Sequence, residues 1–139
     1  MRLSNLADYA VIIMSAAARH CGGARVSAGD LAAETGLPAP TVQKLVSRLT
    51  AAGLLRGRRG SGGGLQLARP AAAITLAEIV EAVDGPIALT ACATGGECGY
   101  DHHCTVRPHW PVVNAALRGA LAEVTLSRLA RAPQTMELT

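Results

Sequence analysis

The sequence predicts a mainly α-helical fold with a small β-hairpin wing: a winged helix-turn-helix followed by a long C-terminal dimerisation helix. Three observations predict it. Apolar residues recur at helical spacing through most of the chain, in stretches bounded by capping residues, glycines and prolines. One stretch, 54–67, instead alternates around a glycine-rich tip. Hydrophobic residues make up 50% of the 139 residues and aromatics only 2%, with no Phe. The core must then be built from Leu, Val, Ile and Ala, whose small side chains suit closely packed helices.

The first helix is expected over residues 4–20, capped by Ser4. Leu6, Tyr9, Ala10, Ile13 and Ala17 form its apolar face, with Asp8 and Ser15 pointing the other way. Asp8 reads on its own as a first-turn carboxylate favoured by the helix dipole. Cys21-Gly-Gly ends this helix, and Cys21, apart from the other cysteines, reads as a bystander. Ser27-Ala-Gly-Asp30 is a capping-box-like start to a short helix that Gly36 stops. A third helix runs from Pro40 to Ala52, with Gly53 closing it. Its core face is Val42, Leu45, Val46 and Leu49; its other face carries Thr41, Gln43, Lys44, Ser47 and Arg48. Short helix, tight turn and a second helix with a polar, basic face make a helix-turn-helix. Gln43 is the main candidate for reading base edges, Lys44 and Arg48 for gripping phosphates, and Thr41 and Ser47 suit either task. The plain alternative is a solvated helix face of the same composition.

The hairpin that follows favours the first of these. Leu65 and Leu67 alternate with Gln66, and the tip carries Arg58 and Arg59 among its glycines. A basic tip directly after such a helix is a wing, and arginine suits the negative potential of a narrow minor groove. The glycine run lacks the G-x4-G-K-[ST] pattern of a phosphate-binding loop. Next, Thr75-Leu-Ala-Glu78 is a second capping box. It opens a helix with Leu76, Ile79, Val80 and Val83 on one face, and Asp84-Gly-Pro86 stops it. From Pro111 a long helix is expected to reach Ala130. Val113, Leu117, Ala120, Leu121 and Val124 form one stripe; Val112, Leu126 and Leu129 lie on another side. One side is read as covered by its own domain and the other by a second subunit, giving a two-fold dimer. Trp110 anchors the start of this helix.

The net charge of +3 is mildly basic and permits nucleic-acid binding. No apolar run is long enough for a membrane helix, and the N-terminus does not read as a secretory signal, so a cytoplasmic, reducing location is expected. In such a location the stretch Cys92-Ala-Thr-Gly-Gly-Glu-Cys98-Gly-Tyr-Asp-His-His-Cys104 stands out. Its C-x5-C-x5-C spacing is wider than that of zinc ribbons and suits a larger object held by thiolates, such as an iron–sulfur cluster. Competing readings are structural zinc completed by His102, His103 or His109, a disulfide framework, and plain buried thiols. The odd number of cysteines in this loop, three of the chain's four, argues against disulfides, and the polar, glycine-rich loop against burial.

At this point the chain resembles the Rrf2 family of winged-helix transcription regulators. The residues that carry the resemblance are Asp8-Tyr9-Ala10, Leu45-Val-Ser-Arg-Leu49 with Gly53-Leu54, Arg59-Gly-Ser-Gly-Gly-Gly64, Ile79-Val-Glu-Ala-Val83 and the three cysteines. It spans nearly the whole chain, and the combination is specific. The resemblance implies a homodimer that binds a pseudo-palindromic operator in double-stranded DNA, with an iron–sulfur cluster, [2Fe-2S] first and [4Fe-4S] second, on Cys92, Cys98 and Cys104. In the Isc-type branch the fourth ligand is a histidine three residues after the last cysteine; Arg107 stands there in this chain. In the nitric-oxide-sensing branch an aspartate from the first helix of the other subunit completes the site, and Asp8 has that position. Gly85-Pro86-x-Ala88-Leu89-Thr90-x-Cys92 and Cys104-x-Val106-Arg107-x2-Trp110 look most like the branch that regulates SUF cluster-assembly genes. Asp8 in trans is therefore the first candidate for the fourth ligand, His109 the second, and His102 or His103 follow.

The expected organisation is a DNA-binding region over 1–72, a connecting helix over 73–91, the cysteine loop over 92–104, a dimerisation helix over 105–132 and a flexible tail over 133–139. An electron-transfer protein would need the cluster but leaves the basic wing without a purpose. A constitutive DNA-binding scaffold with zinc or no metal differs in metal content. An enzyme is disfavoured, because no nucleophile–base pair stands at recognisable spacing.

Overall fold

The computed structural model describes residues 3–20, 26–57, 64–88 and 109–131. In order these form α1 (Asn5–Arg19), α2 (Ala28–Thr35), α3 (Ala39–Ala51), β1 (Leu55–Gly57), β2 (Leu65–Leu67), a 3-10 turn (Ala71–Ala73), α4 (Leu76–Asp84), α5 (Trp110–Ala122) and α6 (Leu126–Ala130). Helices dominate, with one two-stranded antiparallel hairpin, as the sequence predicts.

Local chemistry sets most of the boundaries. Ser4 caps α1 by accepting from the Ala7 amide at 3.0 Å. Capping boxes close at α2, between Ser27 and Asp30, and at α4, between Thr75 and Glu78. Each satisfies orphan amides at both ends of the box. Gly36 leaves α2 with φ 75°, the left-handed region an L side chain rarely adopts. Its turn delivers the chain into α3, with Pro40 in the first turn. The Thr75 cap is tied further into the fold, since the Glu78 carboxylate that accepts from the Thr75 amide also accepts from Arg69 at 2.7 Å. Thr75→Ala is expected to cost about 1 kcal/mol. In a thermal melt that lowers Tm by about 4 °C; an unchanged Tm would show that the box contributes nothing.

The core sits around α1, which touches α2, α3, α4, α6 and β2. Ile13, Met14, Leu31, Val42, Leu45, Leu49, Leu55, Ile74, Ile79 and Leu126 are fully enclosed. Because α1 is covered by several neighbours, its buried sector is wider than one face. Ser15, predicted to point outward with Asp8, is buried, while Asp8 is exposed. A second small cluster joins Ala7, Ala77, Val80 and Ile87 to Leu117 and Leu121 of α5.

The hairpin pairs Leu55 with Leu67, Arg56 with Gln66 and Gly57 with Leu65. Its far edge gains one more residue, where the Leu65 amide donates to the Val26 carbonyl at 2.6 Å. The wing is thus fastened to the segment that enters α2.

The expected single C-terminal helix is two helices. α5 ends at Ala122, and Thr125 turns extended and caps α6 through the Arg128 amide. The cause lies elsewhere in the chain. Thr125 forms a β-bridge with Thr75, the Leu76 amide donates to the Val124 carbonyl at 2.8 Å, and the Leu126 amide donates to the Ile74 carbonyl at 2.8 Å. These bonds replace the helical ones that β-branched Val124 and Thr125 hold weakly. The break also overturns the predicted stripes. Leu126 enters the chain's own core, while Val112 and Val113 are 71% and 44% exposed. Among the described residues no helix is long and apolar enough to cross a membrane.

Candidate DNA-recognition face and stem of the cysteine segment

The polar face predicted for the second helix of the helix-turn-helix is present on α3. Gln43, Lys44, Ser47 and Arg48 are exposed, and Thr41 is half-buried. Val42, Leu45 and Leu49 hold the opposite side in the core, which fixes the rotation of the helix. β1 follows after a short turn, so the hairpin starts at the end of the same helix. Arg58 and Arg59, predicted for the hairpin tip, lie outside the described residues, as do Cys21, Cys92, Cys98, Cys104, His102 and His103.

Arg48 has a structural partner that the sequence does not reveal. Its Nη1 donates to the Val83 carbonyl in the last turn of α4 at 3.1 Å. The C-terminal carbonyls of a helix carry partial negative charge, so a guanidinium is well placed there. The neighbouring Asp84 carboxylate accepts from the Ser4 hydroxyl, both oxygens lying 2.8 Å away. Asp8 stands one helical turn beyond Ser4, its amide bonded to the Ser4 carbonyl. The end of α4 therefore meets α3 on one side and the start of α1 on the other.

Beyond α4, Gly85 turns the chain with φ 82° towards Ile87. The Ile87 amide donates to the Glu81 carboxylate at 3.2 Å, and its carbonyl accepts from the Asn114 side-chain amide at 2.7 Å. Arg118 of α5 closes the loop by donating to Glu81 through Nε at 3.0 Å and Nη2 at 2.7 Å. This pair holds the Glu81 carboxyl below the usual carboxylate range, although burial works the other way. The pairing's contribution is thus present above the ordinary carboxylate pKa and lost as the pH falls through the lower folded value. A comparable cluster near the surface, Arg19 and His20 on the Glu34 carboxylate, joins the end of α1 to α2.

Neither Glu81 nor Asn114 was singled out from the sequence as a site residue. Asn114 had a signal: it is the lone polar side chain in the run from Trp110 to Leu117. It is buried, 8% exposed, and a polar group in that position must find a partner. His109 is exposed at the start of α5, and Trp110 is half-buried in the first turn. Among the described residues no three His, Cys, Asp or Glu side chains converge as a metal site.

A helix-turn-helix with a hairpin fastened beside it is an arrangement for holding one helix against a DNA groove. Known proteins agree with it over the full chain. The solved structure of CymR, described as the global cysteine regulator of B. subtilis, superposes with a TM-score of 0.76 at 29% identity, covering 94% of this chain and 96% of that one. The HTH-type transcriptional regulator IscR of Escherichia coli is 30% identical over 139 residues, all of this chain and 86% of that protein. A protein of Mycobacterium tuberculosis named as an HTH-type transcriptional regulator is 34% identical over 131 residues, 94% of this chain and 81% of its own length. These relatives are regulators and not enzymes, in line with the expectation for this chain. The Rrf2 profile, described as an iron-dependent transcriptional regulator, matches residues 3–132, and the chain belongs to the Rrf2 family of transcriptional regulators.

Proposed function

We propose that the chain is a homodimeric transcriptional regulator whose binding to a pseudo-palindromic operator is controlled by an iron–sulfur cluster on Cys92, Cys98 and Cys104, and that its targets are SUF-type cluster-assembly genes. The carrying observation is the donor set: three evenly spaced thiols between α4 and α5, in a chain whose α3 presents an exposed polar face. Thiolates are the soft ligands that iron–sulfur clusters take, so the residues fit the group. The similarity to IscR supports the same reading, and the sequence around Gly85-Pro86 and Cys104 supports the SUF assignment. A [2Fe-2S] cluster is the first choice and [4Fe-4S] the second. When bound, the cluster supplies a centre whose integrity depends on iron supply, oxidants and nitric oxide.

The chain's own residues supply the rest. Asp8 is exposed on α1, where a second subunit can use it as a fourth ligand; His109, exposed at the start of α5, is the alternative from the same chain. Along α5, Val112, Val113, Ala115, Ala116, Gly119 and Ala120 are exposed, a surface of small and apolar side chains that a second copy can cover closely. Gln43 and Arg59 would be the main DNA contacts, with Arg58 beside Arg59 on the wing tip, Lys44 and Arg48 would serve phosphates, and Thr41 and Ser47 either task. Binding three thiols to one centre constrains the path from α4 to α5, and operator affinity changes by the difference in cluster affinity between the two forms. The reading carries a cytoplasmic location, where the DNA lies.

A second reading, a nitric-oxide- or redox-sensing repressor of the same family, is favoured by the exposure of Asp8. A third is a constitutive DNA-binding protein with structural zinc or no metal. Anaerobic purification with iron, sulfide and zinc assays and a visible spectrum separates the third from the first two, which reversible loss of operator binding on adding nitric oxide, against loss on iron depletion, then tells apart. Iron and sulfide in near-equal amounts, with charge-transfer bands perturbed by Asp8→Ala and not by His109→Ala, are the expected result. Perturbation by His109→Ala alone would move the fourth ligand to the start of α5 in the same chain, and zinc without sulfide would remove the sensor.

A further inference from the structure

We propose that Glu81 and Asn114 are positioning residues that couple the cysteine segment to the recognition helix through the last turn of α4. The proposal rests on the cluster reading for its physiological trigger, while its geometry lies wholly in described residues. The Ile87 backbone, five positions before Cys92, is held at both of its polar groups: its N–H by Glu81 of α4 and its carbonyl by Asn114 of α5. Its side chain is 6% exposed, in the small cluster with Ala7, Ala77 and Val80. Arg118 locks Glu81 to α5 as well. The stem of the segment therefore shifts only by moving α4 against α5 or by breaking these hydrogen bonds, of which the one from Asn114 is buried and costly to leave unmade.

The same turn of α4 ends on the DNA side. Val83 stands between Glu81 and the Gly85 turn, and its carbonyl holds the Arg48 guanidinium of α3. A phosphate approaching α3 competes for that guanidinium with the helix terminus. A displacement of Ile87 thus reaches Arg48 through one short helical turn, and DNA bound at Arg48 acts back on Ile87 by the same path, since coupling between sites is reciprocal. Asp84, bonded to Ser4, adds the start of α1 to the same junction.

The alternative is that Asn114 and Glu81 are anchors for stability and nothing more. The distinguishing quantity is a ratio of affinities. Fluorescence anisotropy would be measured on a duplex that the wild-type protein selects from a randomised pool, with every protein on a Cys21→Ser background. The iron- and sulfide-reconstituted form and the metal-free form are compared for wild type, Glu81→Ala, Glu81→Gln and Asn114→Ala. In wild type the two forms are expected to differ by about tenfold, inside the usual range for coupled sites. In Glu81→Ala and Asn114→Ala the ratio is expected to fall to about twofold or less, with iron content per chain as in wild type. Glu81→Gln, whose side-chain oxygen still accepts from the Ile87 amide, is expected to keep the ratio. A wild-type ratio in both alanine variants overturns the proposal. Should Asn114→Ala fail to fold, Glu81→Ala, at a half-buried site, carries the test. Should wild type take up no iron, the cluster reading fails and a second arm decides the coupling alone. N-ethylmaleimide on the metal-free proteins must then shift DNA affinity in wild type and not in Glu81→Ala; equal shifts, or none in either, overturn it.

Discussion

Leu126→Ala is expected to destabilise each folded subunit by about 2–5 kcal/mol, the cost of emptying a fully enclosed leucine site. Leu126 has no exposed surface and lies in the main core beside α1, next to a backbone pairing with Ile74. The expectation separates two arrangements of the C-terminal region. In a single helix from Pro111 to Ala130, Leu126 would share a stripe with Val112, and truncating either would act on the same surface, be it the chain's own core or a subunit interface. In the broken arrangement the two residues part company: Leu126 belongs to the core of its own chain and Val112 to the exposed face of α5. Denaturant unfolding at several protein concentrations reads the difference. For Leu126→Ala the loss should persist at every concentration. For Val112→Asp the midpoint should fall most at low concentration, as expected when mass action holds a dimer together. If Leu126→Ala behaved like Val112→Asp, the packing of α6 against α1 would be wrong.

The contrast between these residues also marks what the sequence could reveal. Boundaries decided by neighbours along the chain were legible. The capping boxes at Ser27 and Thr75, the left-handed exits at Gly36 and Gly85 and the prolines in the first turns of α3 and α5 all work within a few residues. The polar face of α3 was legible too, because an amphipathic period states which side is buried. The break at Thr125 was not. Its partners are Ile74, Thr75 and Leu76, far away in sequence, and a run such as Leu121 to Leu129 has no proline or glycine to announce an interruption. Ser15 misled for a related reason: periodicity describes one buried face, whereas α1 is enclosed by several elements. The links that matter most for transmission, Arg48 to Val83 and Asn114 to Ile87, join residues that no local rule pairs.

Gln43→Ala and Lys44→Ala should weaken DNA binding in different ways, and the difference tests how α3 faces the groove. Both side chains are exposed on the same helix, one turn of which is pinned to the core by Val42 and Leu45. A glutamine that pairs with a base edge contributes to one sequence and not its variants. Its loss is expected to cost about 1–3 kcal/mol on the preferred operator and almost nothing on a duplex altered at the contacted base pair. A lysine on a phosphate contributes to every sequence alike and releases a counterion. Lys44→Ala is expected to lower affinity uniformly and to reduce the slope of log K against log salt by about one. Arg48 should behave as neither. Its guanidinium is already bonded to Val83, so part of its interaction with a phosphate is offset by the carbonyl it must share or leave. Arg48→Ala should therefore reduce affinity less than Lys44→Ala while disturbing the end of α4. Salt-dependent titrations on matched and altered duplexes measure all of these. A Gln43→Ala loss that is equal on every duplex would turn Gln43 into a backbone contact and rotate the helix in the groove. In that geometry Ser47, one turn further along the same face, would be the nearest side chain left to read a base.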